Sequence, residues 1–152
     1  MQGEIPTAVC DISADCYFEE LRQDFEGAYY GMYFLELADY CTRENNDERE
    51  VLKLLYQSLR ALTVKSIPRR LVRCIYEIRL IVANGEFPGL PQGNFSETAL
   101  YAVEFIAGTP VEKLYTFTLK EEVLAELVKI AEKYRRDFLP GEFHTLEILE
   151  TL

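Results

Sequence analysis

The side chains of this sequence best equipped to hold a ligand are basic ones crowded into one stretch. Arg60, Lys65, Arg69, Arg70, Arg73 and Arg79 follow one another closely, and residues 51–80 carry seven basic groups against one acidic group. The rest of the chain has the opposite sign. Residues 1–50 hold three basic and thirteen acidic side chains, residues 81–152 six and twelve, and the formal net charge is −10. A phosphate backbone is bound through Lys and Arg contacts that release counterions, so the two acidic thirds should repel nucleic acid. Only the middle third can attract an anion. At this level a second role stays open for the same arginines, that of neutralising the acidic surface around them.

Other chemistries lack their residues. The four cysteines (Cys10, Cys16, Cys41, Cys74) are scattered without a Cys-x-x-Cys pair, and His144 is the one histidine. Metal sites need closely repeated ligands, so no metal and no cofactor is expected. A carboxylate-bridged di-metal bundle would need Glu-x-x-His on facing helices. No glycine-rich phosphate loop is present, and nothing pairs a thiol with His144 as nucleophile and base. Glu36 and Glu77, on apolar helices, are expected to be partners of Arg22, Arg73 or Arg79 rather than a general acid and base. No catalytic residue is assigned.

The stretch Ser66 to Gly85 must position the arginines. Ser66 is expected to cap it, Pro68 to sit in its first turn and Asn84-Gly85 to supply a left-handed stop. Leu71, Val72, Ile75, Ile78, Ile81 and Val82 spread over more than half of the helical circumference, while Arg69, Arg70, Arg73 and Glu77 share the remainder. A helix that apolar is wrapped by neighbours. Arg79, at the edge of the apolar sector, is expected to pair with an acid such as Glu36.

Around this centre the pattern predicts a compact all-α bundle of five or six helices. A long helix runs from about Tyr17 to Thr42, with Phe25, Tyr29, Met32, Tyr33 and Leu35 among its apolar positions and Gly27 and Gly31 marking a kink or a close approach. A second covers Glu48 to Leu62, capped by Asn46 or Asp47, with Val51, Leu52, Leu55, Leu59 and Leu62 inward. The central helix covers about 68–83. Residues 86–95 hold two prolines and two glycines and form the one long connection. Ser96 caps a helix from Glu97 to Ala107, Val111 to Leu114 form a short turn, and the capping box Thr118-Leu119-Lys120-Glu121 opens a helix to about Phe138. Phe143 to Leu152 form a short last helix. Residues 1–14 read as an extended tail ahead of one helical domain, 15–152. With 152 residues and 49% hydrophobic content, the chain can build a real core. It shows no apolar run long enough for a membrane span and no signal peptide, so a cytoplasmic location is expected.

Three segments, taken in order, resemble the helical C-terminal domain of the DNA repair protein RecO family of bacteria. They are Phe18-Glu19-Glu20-Leu21-Arg22 running into Tyr33-Phe34-Leu35-Glu36-Leu37; Tyr76-Glu77-Ile78-Arg79-Leu80-Ile81 with the exit Asn84-Gly85-Glu86-Phe87-Pro88; and Gly141-Glu142-Phe143-His144-Thr145-Leu146 with Leu149. The resemblance implies a non-enzymatic recombination mediator. Its partners would be RecR, single-stranded DNA and the acidic, Phe-ended tail of single-strand-binding protein, with the tail docking on the helical domain. Arg60, Lys65, Arg69, Arg70 and Arg73 are then the expected partner-binding residues, since arginine forks grip carboxylates at two points. The family's opening oligonucleotide-binding barrel is not seen, and residues 1–14 would be a remnant of the connection to it. The four-cysteine zinc module of many members is replaced by Gly89-Leu90-Pro91-Gln92-Gly93-Asn94. DNA binding by this chain is therefore expected to be weak. The alternative reading is a helical interaction or scaffold domain with no direct role in DNA transactions.

Overall fold

The computed structural model describes residues 24–44, 48–139, 141 and 143–151. Within them lie six α-helices and one 3₁₀ turn, with no strand. We label the helices α1 (Phe25–Glu44), α2 (Glu48–Leu62), α3 (Arg69–Ala83), α4 (Glu97–Gly108), α5 (Glu121–Phe138) and α6 (His144–Leu149), the 3₁₀ turn being Val111–Lys113 between α4 and α5. The expected all-α bundle is what forms. The expected tail at residues 1–14 and the Asn46 or Asp47 cap lie outside the described residues.

The third helix is the centre of the bundle. It packs on α1, α2, α4 and α5, and buries Leu71, Val72, Cys74, Ile75, Tyr76, Glu77, Ile78, Leu80 and Ile81. Its exit is the expected one. Asn84 is the last near-helical residue, Gly85 turns to φ 76°, and the amides of Gly85 and Glu86 return to the carbonyls of Val82 and Ile81 at 2.9 and 3.1 Å. That pair of bonds satisfies the helix's free carbonyls, and only a glycine takes the left-handed turn cheaply. The entrance differs. Pro68, not Ser66, is the cap residue; its carbonyl accepts from the amides of Leu71 and Val72, and no side chain caps the helix.

The expected long helix is interrupted at Asp24, which is non-helical and whose Oδ1 accepts from the Gly27 amide at 3.0 Å, so α1 begins at Phe25; the part expected over 17–23 lies outside the described residues. Tyr30, Tyr33, Phe34, Leu37, Ala38 and Cys41 face the core, and Gly27 and Gly31 are buried. Phe25, Met32 and Leu35, read as part of the apolar face, are exposed. The helix is apolar over most of its circumference, so periodicity alone does not show which side is covered. Tyr76 stacks on Phe34 at 4.2 Å between ring centroids and donates its hydroxyl to the Phe34 carbonyl at 2.6 Å.

The second helix has its expected bounds, but its inward residues are Val51, Leu54, Ser58, Leu59, Ala61 and Leu62. Leu52 points outward and is 53% exposed. Ser58 is tolerated inside because its hydroxyl pairs with that of Tyr115 at 2.5 Å. The fourth helix is capped as expected, with Ser96 Oγ accepting from the Ala99 amide at 3.2 Å. Its other end is closed from outside. Arg79 does not meet Glu36; its Nη1 donates to the carbonyls of Ile106 and Thr109 at 2.9 and 2.5 Å. A cation at a helix C-terminus satisfies orphan carbonyls and opposes the negative end of the dipole. Glu36 instead accepts from the amide and hydroxyl of Thr145, at 3.3 and 2.5 Å, and so ties α6 to α1.

The helix after the 3₁₀ turn starts at Glu121, not at Leu119, and Thr118 does not cap it. After a turn at 114–116, residues 117–120 alternate between half-buried and exposed in a non-helical stretch. Phe117 packs edge-on against Phe105 at 5.1 Å, so core contacts on alternate residues delay the helix. The 86–95 connection is anchored to α5 at two points. Tyr134 donates to the Gly89 carbonyl at 2.6 Å, and Glu126 accepts from the amide and hydroxyl of Ser96 at 2.7 and 2.8 Å.

Arg79→Ala should destabilise the fold by about 1.5–3 kcal/mol, the usual worth of hydrogen bonds to a charged group. Arg79→Lys should recover part of it. Urea unfolding followed by circular dichroism measures both, and an unchanged midpoint for Arg79→Ala would contradict the capping role.

Candidate partner-binding surface

Five residues were expected to form one basic contact surface, and the fold distributes them over three places. Arg69, the first residue of α3, turns toward the start of α1. Its guanidinium pairs with Asp24 and, at 3.2 Å, with Glu26. Arg69 and the Gly27 amide together hold the Asp24 carboxyl below the usual carboxylate range, and Asp24 in turn raises Arg69.

Arg73 goes inward. Its Nε donates to Glu77 at 3.1 Å, its guanidinium lies over the Tyr33 ring at 5.4 Å, and its Nη2 is 4.0 Å from Glu150. Glu77, one turn further along α3, is almost fully buried, with 2% of its side chain exposed. An ionised carboxylate is sustained there only by partners. It has three, Arg73, the Tyr33 hydroxyl at 2.5 Å and Arg135 of α5 at 3.6 Å. Burial and the neighbouring Glu77 charge push the Tyr33 hydroxyl's pKa far up, so it stays a donor. The arrangement joins α1, α3 and α5, and it makes Arg73 a structural residue first. Arg73 as a partner of Glu77 was foreseen from sequence. Arg135 and Tyr33 were not, since only the fold brings them within reach.

The remaining three stay at the surface. Arg70 is 54% exposed, with Glu121 at 3.7 Å as its neighbouring acid. It stands beside a small cleft of about 40 Å³ between α3 and α5, lined also by Arg73, Cys74, Glu77, Val128 and Glu132. Burial pushes the Cys74 thiol far up, which leaves it protonated and unreactive. Arg60, in the last turn of α2, lies over the Tyr56 ring at 5.7 Å. It borders a groove of about 370 Å³ where α2 ends against the 3₁₀ turn, with Gln57, Ala61, Val64, Ile67, Glu112 and Tyr115. Lys65 is exposed in the adjoining turn, next to the 43% exposed Val64. Here apolar and cationic groups stand side by side, as a ligand with an aromatic end and carboxylates would need. Among the described residues no group of three or more His, Cys, Asp or Glu side chains could hold a metal ion. No helix among them is long and apolar enough to cross a membrane.

Comparisons with known proteins agree with the fold. Residues 22–93, which contain α1, α2, α3 and most of the connection after it, match the family described as recombination protein O C terminal. The chain is also similar to the DNA repair protein RecO of Acetivibrio thermocellus, at 23% identity over 177 residues, covering 94% of this chain and 69% of that protein. No solved structure matches. Both comparisons place the chain's similarity with the RecO family.

Two outcomes test the electrostatics. Glu77→Gln leaves Arg73 and Arg135 without their buried counter-charge, and breaking such a pair typically costs about 3–5 kcal/mol; chemical denaturation should register a loss of that order. Asp24 has a depressed pKa when folded, so its contribution is present above the unfolded value of about 3.9 and is lost as pH falls through the folded value. Asp24→Asn should therefore be less stable than the parent near neutrality, and the two should converge at acid pH below the folded value. A difference that persists there would rule out the ion pair as its source.

Proposed function

We propose that this chain acts in DNA repair and recombination as a non-enzymatic mediator domain that works by binding protein partners. The observation that carries this reading is the match to a DNA repair protein RecO across 94% of the chain. Its leading partner is the acidic, Phe-ended tail of single-strand-binding protein, with RecR a second. The groove at the end of α2 supports the first assignment. It offers apolar walls at Val64, Ile67 and Tyr115, with Arg60 on its rim and Lys65 in the adjoining turn. Arg70 adds a third exposed cation. Arg69 and Arg73, engaged with Asp24, Glu26 and Glu77, contribute to such binding indirectly by holding α3 in place.

A labelled acidic peptide ending in Pro-Phe, titrated by fluorescence anisotropy, tests the proposal. Arg60→Ala, Lys65→Ala and Arg70→Ala should each weaken binding by up to about tenfold, since exposed charge contacts are worth about 1 kcal/mol or a little more. Added salt should weaken it further. Lys129→Ala, outside the basic segment, serves as the control. If all four variants bind like the parent, the basic residues are surface neutralisers and the proposal fails. Single-stranded DNA at physiological salt should bind weakly, and submicromolar affinity would overturn the assignment of protein partners as the main ligands.

A further inference from the structure

The described chain opens beside the groove at the end of α2. Arg69 Nη2 pairs with Asp24 and also donates to the carbonyl of Leu62, the last residue of α2, at 3.4 Å. The start of α1 is thereby pinned to the end of α2. Leu62 and Arg69 bracket the turn 63–68, and Thr63, Val64 and Ile67 of that turn line the groove with Arg60 and Tyr115. Chain that precedes Asp24 therefore leaves from close to the groove. It also has the chemistry the groove selects. Residues 1–23 hold five acidic groups and one basic group, a net −4. Within them Tyr17-Phe18 stand between Asp15 on one side and Glu19-Glu20 on the other, two aromatic rings framed by three carboxylates.

With the groove read, as above, as a site for an acidic, aromatic ligand, we propose that its resident occupant is the chain's own segment Asp15 to Glu20, which an outside acidic tail must displace. Val64, Ile67 and Tyr115 offer apolar walls to a ring, and Arg60 on the rim with Lys65 in the adjoining turn meets the flanking carboxylates. The one acid of the lining, Glu112, is engaged by Lys53 at 3.3 Å and opposes the segment less for it. Reach is not limiting. An extended chain advances about 3.3–3.6 Å per residue, so the six steps from Asp24 back to Phe18 span up to about 20 Å, while the groove lining resumes at Thr63, next to the Leu62 carbonyl that shares Arg69 with Asp24. A tether this short gives a local concentration of about 1 mM. Even a contact with an intrinsic constant of about 0.1 mM then fills the groove most of the time, and it weakens an outside ligand by about tenfold. The acidic excess of the first 23 residues thus acts as a threshold on the binding site, so that only a ligand of higher affinity or high local concentration gains entry.

Disulfide trapping in the full chain tests the occupancy directly. Val64→Cys combined with Cys10→Ser leaves Cys16, next to Tyr17-Phe18, as the expected partner, because Cys41 and Cys74 are buried. Under a mild oxidant the bond should form within one chain, and trypsin should then release residues 1–22 linked to residues 61–65. Tyr101→Cys in the same background, exposed on α4, should give little cross-link. Binding supplies the second readout. Phe18→Ser and the double variant Glu19→Lys/Glu20→Lys should each bind the labelled acidic Pro-Phe peptide about tenfold more tightly than the parent, since the competitor is weakened. Absence of the Val64→Cys bond, an equal yield from Tyr101→Cys or a bond between two chains overturns the proposal. So does a peptide that binds the parent and both variants alike. A peptide that binds no form of the chain overturns the tail assignment instead, and the cross-link then decides the self-occupancy by itself.

Discussion

The bundle depends on keeping one carboxylate paired where water does not reach. Glu77 sits in the most buried helix, and burying a charge is tolerated only with close counter-charge and hydrogen bonds. Arg73 supplies charge from the same helix, Arg135 from α5, and Tyr33 supplies a hydroxyl from α1. Each of those elements can be displaced only by leaving part of the cluster unpaired. Replacing such a group with packed apolar side chains can be neutral or stabilising, so its value lies more in fixing how three helices meet than in raw stability. Because the interaction is directional, it selects one register of α5 against α3, which apolar packing alone specifies weakly.

That constraint also decides what remains for binding. Arg73 is drawn into the core by Glu77, and Arg69 is drawn to the start of α1 by Asp24 and Glu26. The basic excess of residues 51–80 is thus partly spent inside the domain. What faces outward is Arg70 on α3 and the Arg60–Lys65 corner beside an apolar groove. A local charge count overstates the available attraction because it cannot distinguish charges that are already matched.

Much of the fold was legible from local signals, as those signals act within a few residues. The Asn84-Gly85 stop and the Ser96 cap need only neighbouring backbone groups to be satisfied. The failures occur where distant contacts outweigh local preference. Thr118 and Glu121 spell a capping box, yet Phe117 is held against Phe105 and the chain stays extended through Lys120. Arg79 was given a carboxylate partner, but three carbonyls at the end of α4 lay closer. Leu52 fits a helical apolar period, although the inward arc of α2 uses the small residues Ser58 and Ala61 instead. In the candidate site the residue types were readable and their division among three locations was not, since the acids that claim Arg69 and Arg73 are chosen by tertiary structure.

The anchoring of the 86–95 connection has a consequence for how the domain can be enlarged. Its entry is fixed by the Gly89 carbonyl on Tyr134, and its exit by Ser96 on Glu126. The intervening chain through Leu90 is largely exposed, with Gly93 at φ 128°. Loop length adds to closure entropy only logarithmically, by about 0.6 kcal/mol per doubling. Both anchors hold to α5 independently of what lies between them, so the stretch between Leu90 and Asn94 behaves as a socket. A whole additional module could be grafted there, its two ends held by bonds the bundle already makes, without the helices having to accommodate it.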